Sequence, residues 1–350
     1  MTELLTKGIE VARGNEVAAT ARLGFLGVGW IGRNRMEAVV KSGLAQAVVI
    51  AEPDRALART AQEIAGDAEL FGSLDELLEF DLDGVVIATP SALHAEQSIR
   101  ALQSGMAVFC QKPLGRTGLE TAEVIERARS VDRLLGVDLS YRHLTELQRV
   151  RELVQGGALG EIFGVDLVFH NAYGPDKEWF YKRSLSGGGC VIDLGIHLVD
   201  LALWILGFPK VTEVSSQLFR EGKRLSAFSG EVEDYATAQI DLSTGASAQL
   251  ACSWRLSAGQ DAVISASFYG SKGAARVSNV DGSFYRFRAE HFSGTTRALL
   301  SEDPEPWGGR GILDWVKKLN LSPRFDPNIE SLSTVAETLD AIYAGGRRDV

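Results

Sequence analysis

The chain has 350 residues, 45% of them hydrophobic and 23% charged, an ordinary globular composition with room for two domains and a sizeable core. A formal net charge of −10 argues against a general binder of nucleic acid, which needs a cationic surface, but is compatible with a neutral or mildly anionic small molecule. Cys110, Cys190 and Cys252 are odd in number and lack metal or CxxC spacing, so no metal site or disulfide framework is expected and a reducing cytoplasm is favoured; no apolar run approaches the roughly 18 residues of a membrane span, so no membrane partner is expected.

In chain order, residues 1–21 carry Glu3 and Lys7 where a signal peptide would be apolar, and read as a helical or mobile extension, either an arm on a partner subunit or a frayed tail. Residues 22–140 alternate strands and helices. "RLGFLGV" is a short apolar strand ending among glycines, and "NRMEAVVKSG" continues as a helix. "QAVVIAE", "GVVIATP" and "MAVFCQKP" are further Val/Ile-rich strands, separated by helical patterns such as "DRALARTAQEIAG" and "SALHAEQSIRALQSG". "SLDELLEF" adds a short helix with a capping box from Ser73 to Glu76. Continuous apolar strands alternating with helices predict an α/β domain, a doubly wound parallel sheet of Rossmann type.

The first turn, "GVGWIG", places Gly27, Gly29 and Gly32 in GxGxxG spacing, with Trp30 and Ile31 at the start of the helix. Between a strand and a helix, this pattern suits a pyrophosphate held by backbone N–H groups at a helix N-terminus. Glu52, ending the next strand, stands where an acid would bind the adenosine ribose hydroxyls. An acid there repels a 2′-phosphate and favours NAD over NADP, unless Glu52 turns aside and Arg55 accepts the phosphate. S-adenosylmethionine is the rival ligand for such a turn.

Residues 141–325 read as an α+β domain with an open, mainly antiparallel sheet: "EIFGVDLVF", "EDYATAQIDL", "ASAQLACSW" and "DAVISASFYG" alternate apolar and polar residues at period two. Residues 326–350 predict a final helix returning towards the first domain, and "SEDPEPWGG" is the candidate for a mobile flap. Within "GGGCVIDLGIHLVDLALWILG" (187–207), Asp193, His197 and Asp200 interrupt an apolar helix at i, i+4 and i+7, so they share one face. Left unpaired and buried, each would cost several kcal/mol, so they must be used or satisfied.

Lys112, in "CQKPLG", follows an apolar strand and so lies at the carboxyl edge of the parallel sheet, where ligands bind. Together, the glycine turn, "ATPSALH", this Lys-Pro and "DLGIHLVD" resemble the glucose-fructose oxidoreductase / inositol dehydrogenase (Gfo/Idh/MocA) family. The resemblance runs from about residue 22 to the C-terminus. It implies a Rossmann domain holding NAD(P) and a second domain whose open sheet often forms a subunit interface, hence a homodimer or homotetramer. It also implies that Lys112, Asp193 and His197 meet at the nicotinamide, and that Thr89 and Pro90 pass beside the cofactor. His94, on the helix that follows, is counted with the cofactor-binding residues, though its own reading is structural. Where the family usually shows Glu-Lys-Pro, this chain has Gln111-Lys112-Pro113; Gln111 can still bind the cofactor ribose but carries no charge beside Lys112.

The implied activity is a hydride transfer between NAD(P) and a carbinol carbon of a sugar, sugar derivative or cyclitol. His197 is the expected base, Lys112 the stabiliser of charge on the reacting oxygen and Asp193 the anchor of a neighbouring hydroxyl, with the first two roles open to reversal. Asp200 would fix the imidazole or pair with a base elsewhere. Tyr141, Arg142 and Trp179 are candidate substrate contacts. Two other readings stand beside this one: a glycoside hydrolase or epimerase-like reaction with transient cofactor reduction, and a non-catalytic dinucleotide-responsive regulator, to which Gln111 alone leans.

Overall fold

The computed structural model describes residues 20–225, 230–302 and 306–345; of the expected N-terminal extension, residues 1–21, the first nineteen lie outside them, and Ala21 already opens the first strand. The first half runs β1 (Ala21–Leu26), α1 (Trp30–Ser42), β2 (Ala45–Ala51), α2 (Arg55–Ala65), β3 (Glu69–Phe71), α3 (Leu74–Leu78), β4 (Gly84–Ile87), α4 (Ser91–Gln103), β5 (Ala107–Cys110), α5 (Gly118–Ser130) and β6 (Leu135–Val137). β1 is buried at every position except Arg22, β4 and β5 throughout. Such strands need helices on both faces. The six strands pair in parallel in the order β3-β2-β1-β4-β5-β6, so the direction of winding reverses between β1 and β4 and opens a crevice at their carboxyl ends. The capping box at α3 is present: Ser73 Oγ accepts from the Glu76 N–H and donates to its carboxylate.

A single 3-10 turn, Ser140–His143, leads into the second half: α6 (Thr145–Gln155), β7 (Ile162–Asn171), α7 (Arg183–Ser186), α8 (Ile196–Ile205), β8 (Val211–Arg220), β9 (Lys223–Arg224), β10 (Tyr235–Leu242), β11 (Ser247–Ser253), β12 (Ala262–Gly270), β13 (Gly273–Asn279), β14 (Phe287–Ser293) and β15 (Thr296–Ser301). These strands form one sheet in the order β15-β14-β13-β12-β7-β11-β10-β8-β9, antiparallel except between β7 and β11. Val165, Leu167 and Phe169 point from β7 into the core, while Phe163 on the other face is 61% exposed. The four strands legible in the sequence are β7, β10, β11 and β12 at the centre of the sheet. β8 and β13 to β15 are polar or small at most positions, and their pairing partners rather than their own periodicity make them strands.

The chain closes with α9 (Arg310–Leu321) and α10 (Ser331–Gly345). The final helix does return to the first domain, where Asp340 accepts from the Gly118 N–H at 2.8 Å, but it is not the first element to do so. α9 already covers one face of the Rossmann sheet, with Trp315 against Phe109 at 5.6 Å and Ile312, Val316 and Leu319 in the same core cluster as Leu23 and Phe25. α10 lies between the halves, on α5, α8 and β8. The expected flap is pinned at its end: Trp307 is buried and donates its indole N–H to the Tyr285 carbonyl at 3.0 Å, whereas residues 303–305 are outside the described chain. The helical stretch Arg183–Ile205, 23 residues that include an 18-residue window of mean hydropathy 1.6, matches a membrane span in length and composition, but 83% of that window is buried inside the protein, which explains its hydrophobicity as a core helix.

Candidate active site

The three glycines after β1 do different things. Gly27 is left-handed (φ +82), and a Cβ there would lie 2.8 Å from the Ala88 carbonyl oxygen; a Cβ on Gly32 would lie 2.1 Å from the Gly27 oxygen. Both serve the turn's own packing. Gly29, the residue before α1, would place a Cβ with no neighbour within 4 Å. Its open side, at a helix N-terminus, is what the approach of a pyrophosphate requires, so the cradle fits a dinucleotide. Trp30 beside it is 62% exposed and Ile31 partly so.

Glu52 is held from both sides: the Val28 N–H donates to Oε2 and the Asp54 N–H to Oε1, each at 3.0 Å. The carboxylate therefore stays against the glycine turn, and Arg55, exposed at the start of α2, does not displace it. Across the crevice, Thr89 Oγ1 donates to Gln97 Oε1 at 2.6 Å and Pro90 leads into α4. His94 differs from its expected place among cofactor contacts. Its imidazole is buried with both ring nitrogens 2.7 Å from backbone carbonyl oxygens, of Thr89 and Pro113, so it ties the two loops together and has no ring nitrogen left for a ligand.

Lys112 leaves the carboxyl end of β5 and crosses to the second half of the chain. Its Nζ donates to the Asp193 carbonyl at 2.7 Å and to Asp193 Oδ1 at 2.8 Å. An ammonium has three donors, so one remains for a ligand. Asp193 sits in a wide π turn, Val191–Gly195, that precedes α8, and Trp254 at the end of β11 donates its indole N–H to the other carboxylate oxygen at 3.0 Å. His197, one turn on, packs its ring 4.8 Å from that of Tyr141 and 6.3 Å from that of Phe169. Among the described residues it makes no hydrogen bond. Burial first, and the Lys112 charge second, hold its pKa well below the ordinary histidine range, so the ring is a neutral proton acceptor near pH 7. Tyr141 is held in place by Phe287 and Trp307 as well, and burial pushes its hydroxyl up, so it remains a protonated donor.

Of the three glycines that open this helix, Gly187 is left-handed (φ +88), and the other two are there because two other elements press on them. A Cβ at Gly188 would lie 1.9 Å from the Tyr343 hydroxyl, and one at Gly189 the same distance from the Glu233 carbonyl oxygen. The Glu233 carboxylate, buried and with its pKa raised by burial, accepts from the Gly189 and Val191 N–H groups and from Tyr343, each at 2.9 Å. It satisfies the helix start from inside the core.

Two of the proposed substrate contacts move. Arg142 forms an ion pair with buried Asp200, donating to it through Nε at 2.9 Å and through Nη2, so its guanidinium belongs to the scaffold and Asp200 has its partner. Trp179 stacks on Phe180 at 3.8 Å; Phe180 and Tyr181, rather than Trp179, adjoin Trp254. Gln111 also differs: its amide N–H is given to buried Asp138. Trp254, Trp307, Glu233 and Asp138 escape any reading by local motif, since each reaches the site from a distant part of the chain.

A Rossmann crevice with an open glycine cradle, facing a lysine, an acid and a neutral histidine, defines a dinucleotide-dependent oxidoreductase. Residues 21–139 match the model of the oxidoreductase family with an NAD-binding Rossmann fold, and residues 147–276 match the GFO/IDH/MocA C-terminal domain. The chain belongs to the GFO/IDH/MocA family. It is 32% identical over 259 residues to D-glucoside 3-dehydrogenase of Escherichia coli K12, covering 70% of each chain, and 30% identical over 264 residues to inositol 2-dehydrogenase of Rhizobium meliloti, covering 74% of this chain and 76% of that one. The fold is shared with GenD2 from gentamicin A biosynthesis, solved with NAD (TM-score 0.79, 24% identity, 97% of each chain), and with levoglucosan dehydrogenase, solved with NADH and levoglucosan (TM-score 0.78, 20% identity, 93% of this chain and 97% of that one). The cofactor is a nicotinamide dinucleotide.

Proposed function

We propose that this enzyme oxidises or reduces one carbinol centre of a polyhydroxylated substrate, a sugar, sugar derivative or cyclitol, with NAD as the preferred cofactor. The observation that carries the reading is the meeting of Lys112 and Asp193 at 2.8 Å with the neutral imidazole of His197 one turn away. Gly29, Glu52, the Thr89-Pro90 loop and Gln111 would hold the dinucleotide, whose nicotinamide supplies the hydride acceptor or donor. The free Nζ donor of Lys112 hydrogen-bonds the reacting oxygen and stabilises negative charge on it. His197 takes the hydroxyl proton in oxidation and returns it in reduction. Lys112 is engaged in its ion pair, which is why His197 is assigned the proton. Asp193, fixed by Lys112 and Trp254, orients the lysine, and Tyr141 offers a further donor to a substrate hydroxyl.

Support for NAD over NADP comes from Glu52, whose two backbone hydrogen bonds keep its charge where a 2′-phosphate would sit. The similar dehydrogenases named above support the substrate class. The three cysteines are free and buried, which supports the proposal that the protein works in a reducing cytoplasm. The outer face of the second sheet, with Phe163 61% and Tyr269 37% exposed, supports a homodimer or homotetramer assembled through that face.

The test is calorimetric titration with NAD(H), NADP(H) and S-adenosylmethionine of wild type and Glu52→Ala. NADH should bind more tightly than NADPH, and the variant should lose about tenfold or more of the NADH affinity and most of the discrimination. Binding of S-adenosylmethionine alone, or of no nucleotide, would end the dehydrogenase reading.

A further inference from the structure

We infer that Asp138 is a positioning residue of the cofactor pocket, acting through Gln111, an inference that rests on the dehydrogenase reading above. Gln111 directly precedes Lys112 at the end of β5 and is 8% exposed. Asp138, following β6, is 1% exposed and collects three donors. Arg35 Nε donates to Oδ2 at 2.5 Å, Gln111 Nε2 donates to the same oxygen, and Ser140 Oγ donates to Oδ1 at 2.5 Å. Arg35 Nη2 closes the network on Ser140 Oγ at 3.0 Å. Arg35 belongs to α1, the helix whose N-terminus faces the cofactor, so one buried carboxylate joins three segments that line the crevice.

The chemistry of a carboxamide makes this consequential. A carboxylate only accepts, so Asp138 must face the nitrogen end of Gln111 and the oxygen end is turned away from it. That oxygen is an acceptor for a ribose hydroxyl, with its orientation set from behind. A glutamate at 111, the residue usual in the family, would bring a second negative charge against Asp138, which has room for donors only. The acid of the motif is thus displaced by one layer: Gln111 keeps the acceptor, and Asp138, paired with Arg35, keeps the charge. Gln111 follows from its neighbour and does not signal a lost activity.

The experiment is a double-mutant cycle on Gln111→Glu, Asp138→Asn and the combined variant, with NADH affinity from fluorescence titration and the melting temperature of the cofactor-free protein as separate readouts. Gln111→Glu, close to isosteric, should weaken NADH by about tenfold and lower the melting temperature, whereas the combined variant should return NADH affinity to within about threefold of wild type. Losses that simply multiply in the combined variant would overturn the proposal. So would a cycle in which only the melting temperature moves, because the pair would then be packing alone. Wild type that binds no nicotinamide would refute the cofactor site itself, and the role of Asp138 with it, while coupling in the cofactor-free melts would still register the contact.

Discussion

His197 shows how much of a residue's chemistry comes from its surroundings. In water an imidazole would be half protonated near pH 6.5; beneath Tyr141 and near Lys112 its charged form is disfavoured, so the neutral, proton-accepting ring persists well into the acid range. The sign follows directly. With the pKa lowered, kcat/KM for oxidation should show no loss at pH 6.5 from this group, the fall arriving at clearly lower pH, and His197→Gln should reduce oxidation by about 10²- to 10⁴-fold with NADH affinity kept. A pH profile whose acid limb bends at 6.5 would place the imidazole in water instead. Asp200, of the same residue type as Asp193 and on the same helix, has a different fate: it is spent on Arg142, and nothing in the spacing of the two acids distinguishes them.

At the level of elements, the strand-turn-helix unit from β1 to α1 separates structural from ligand-facing glycine. Gly32 has backbone 2.1 Å from where its Cβ would be, so Gly32→Ala should cost about 2 kcal/mol or more of stability, read from chemical denaturation. Gly29→Ala adds a methyl to open space at φ −57, which alanine adopts freely, so stability should hold while NADH affinity drops by about tenfold or more. Equal melting and equal affinity losses in both variants would contradict this division. The start of α8 follows similar logic, with Gly188 and Gly189 admitting Tyr343 from α10 and Glu233 from the segment before β10. The sequence displays the three glycines plainly; what presses on them lies 44 and more residues away.

Across the whole molecule, the second sheet has one face packed and one open. α6, α8 and α10 cover the inner face, and Phe163 and Tyr269 stand on the outer one. An exposed apolar stripe on a wide sheet is a surface that a second copy of the chain can cover with the same residues. Sedimentation velocity should give at least a dimer, and Phe163→Glu with Tyr269→Glu should shift the mass towards the monomer without unfolding the Rossmann half. A wild-type monomer at micromolar concentration would refute assembly through this face.

The sequence by itself determined the parallel sheet, the dinucleotide turn and the motifs that carry the family resemblance, and it was that resemblance which implied the meeting of Lys112, Asp193 and His197. All of these rest on local order: the alternation of apolar runs with helices, glycine spacing, and a lysine or acid placed a fixed number of residues from a strand or helix end. Only the tertiary structure decided what those residues touch. It committed Arg142 to Asp200, His94 to two loop carbonyls and Gln111 to Asp138, brought Trp254 to Asp193, and added α9 to the returning α10 as a cover of the Rossmann half. The reason is physical: a backbone pattern is set by neighbours in sequence, whereas the partner of a buried polar group is whatever the packed core brings within hydrogen-bond distance.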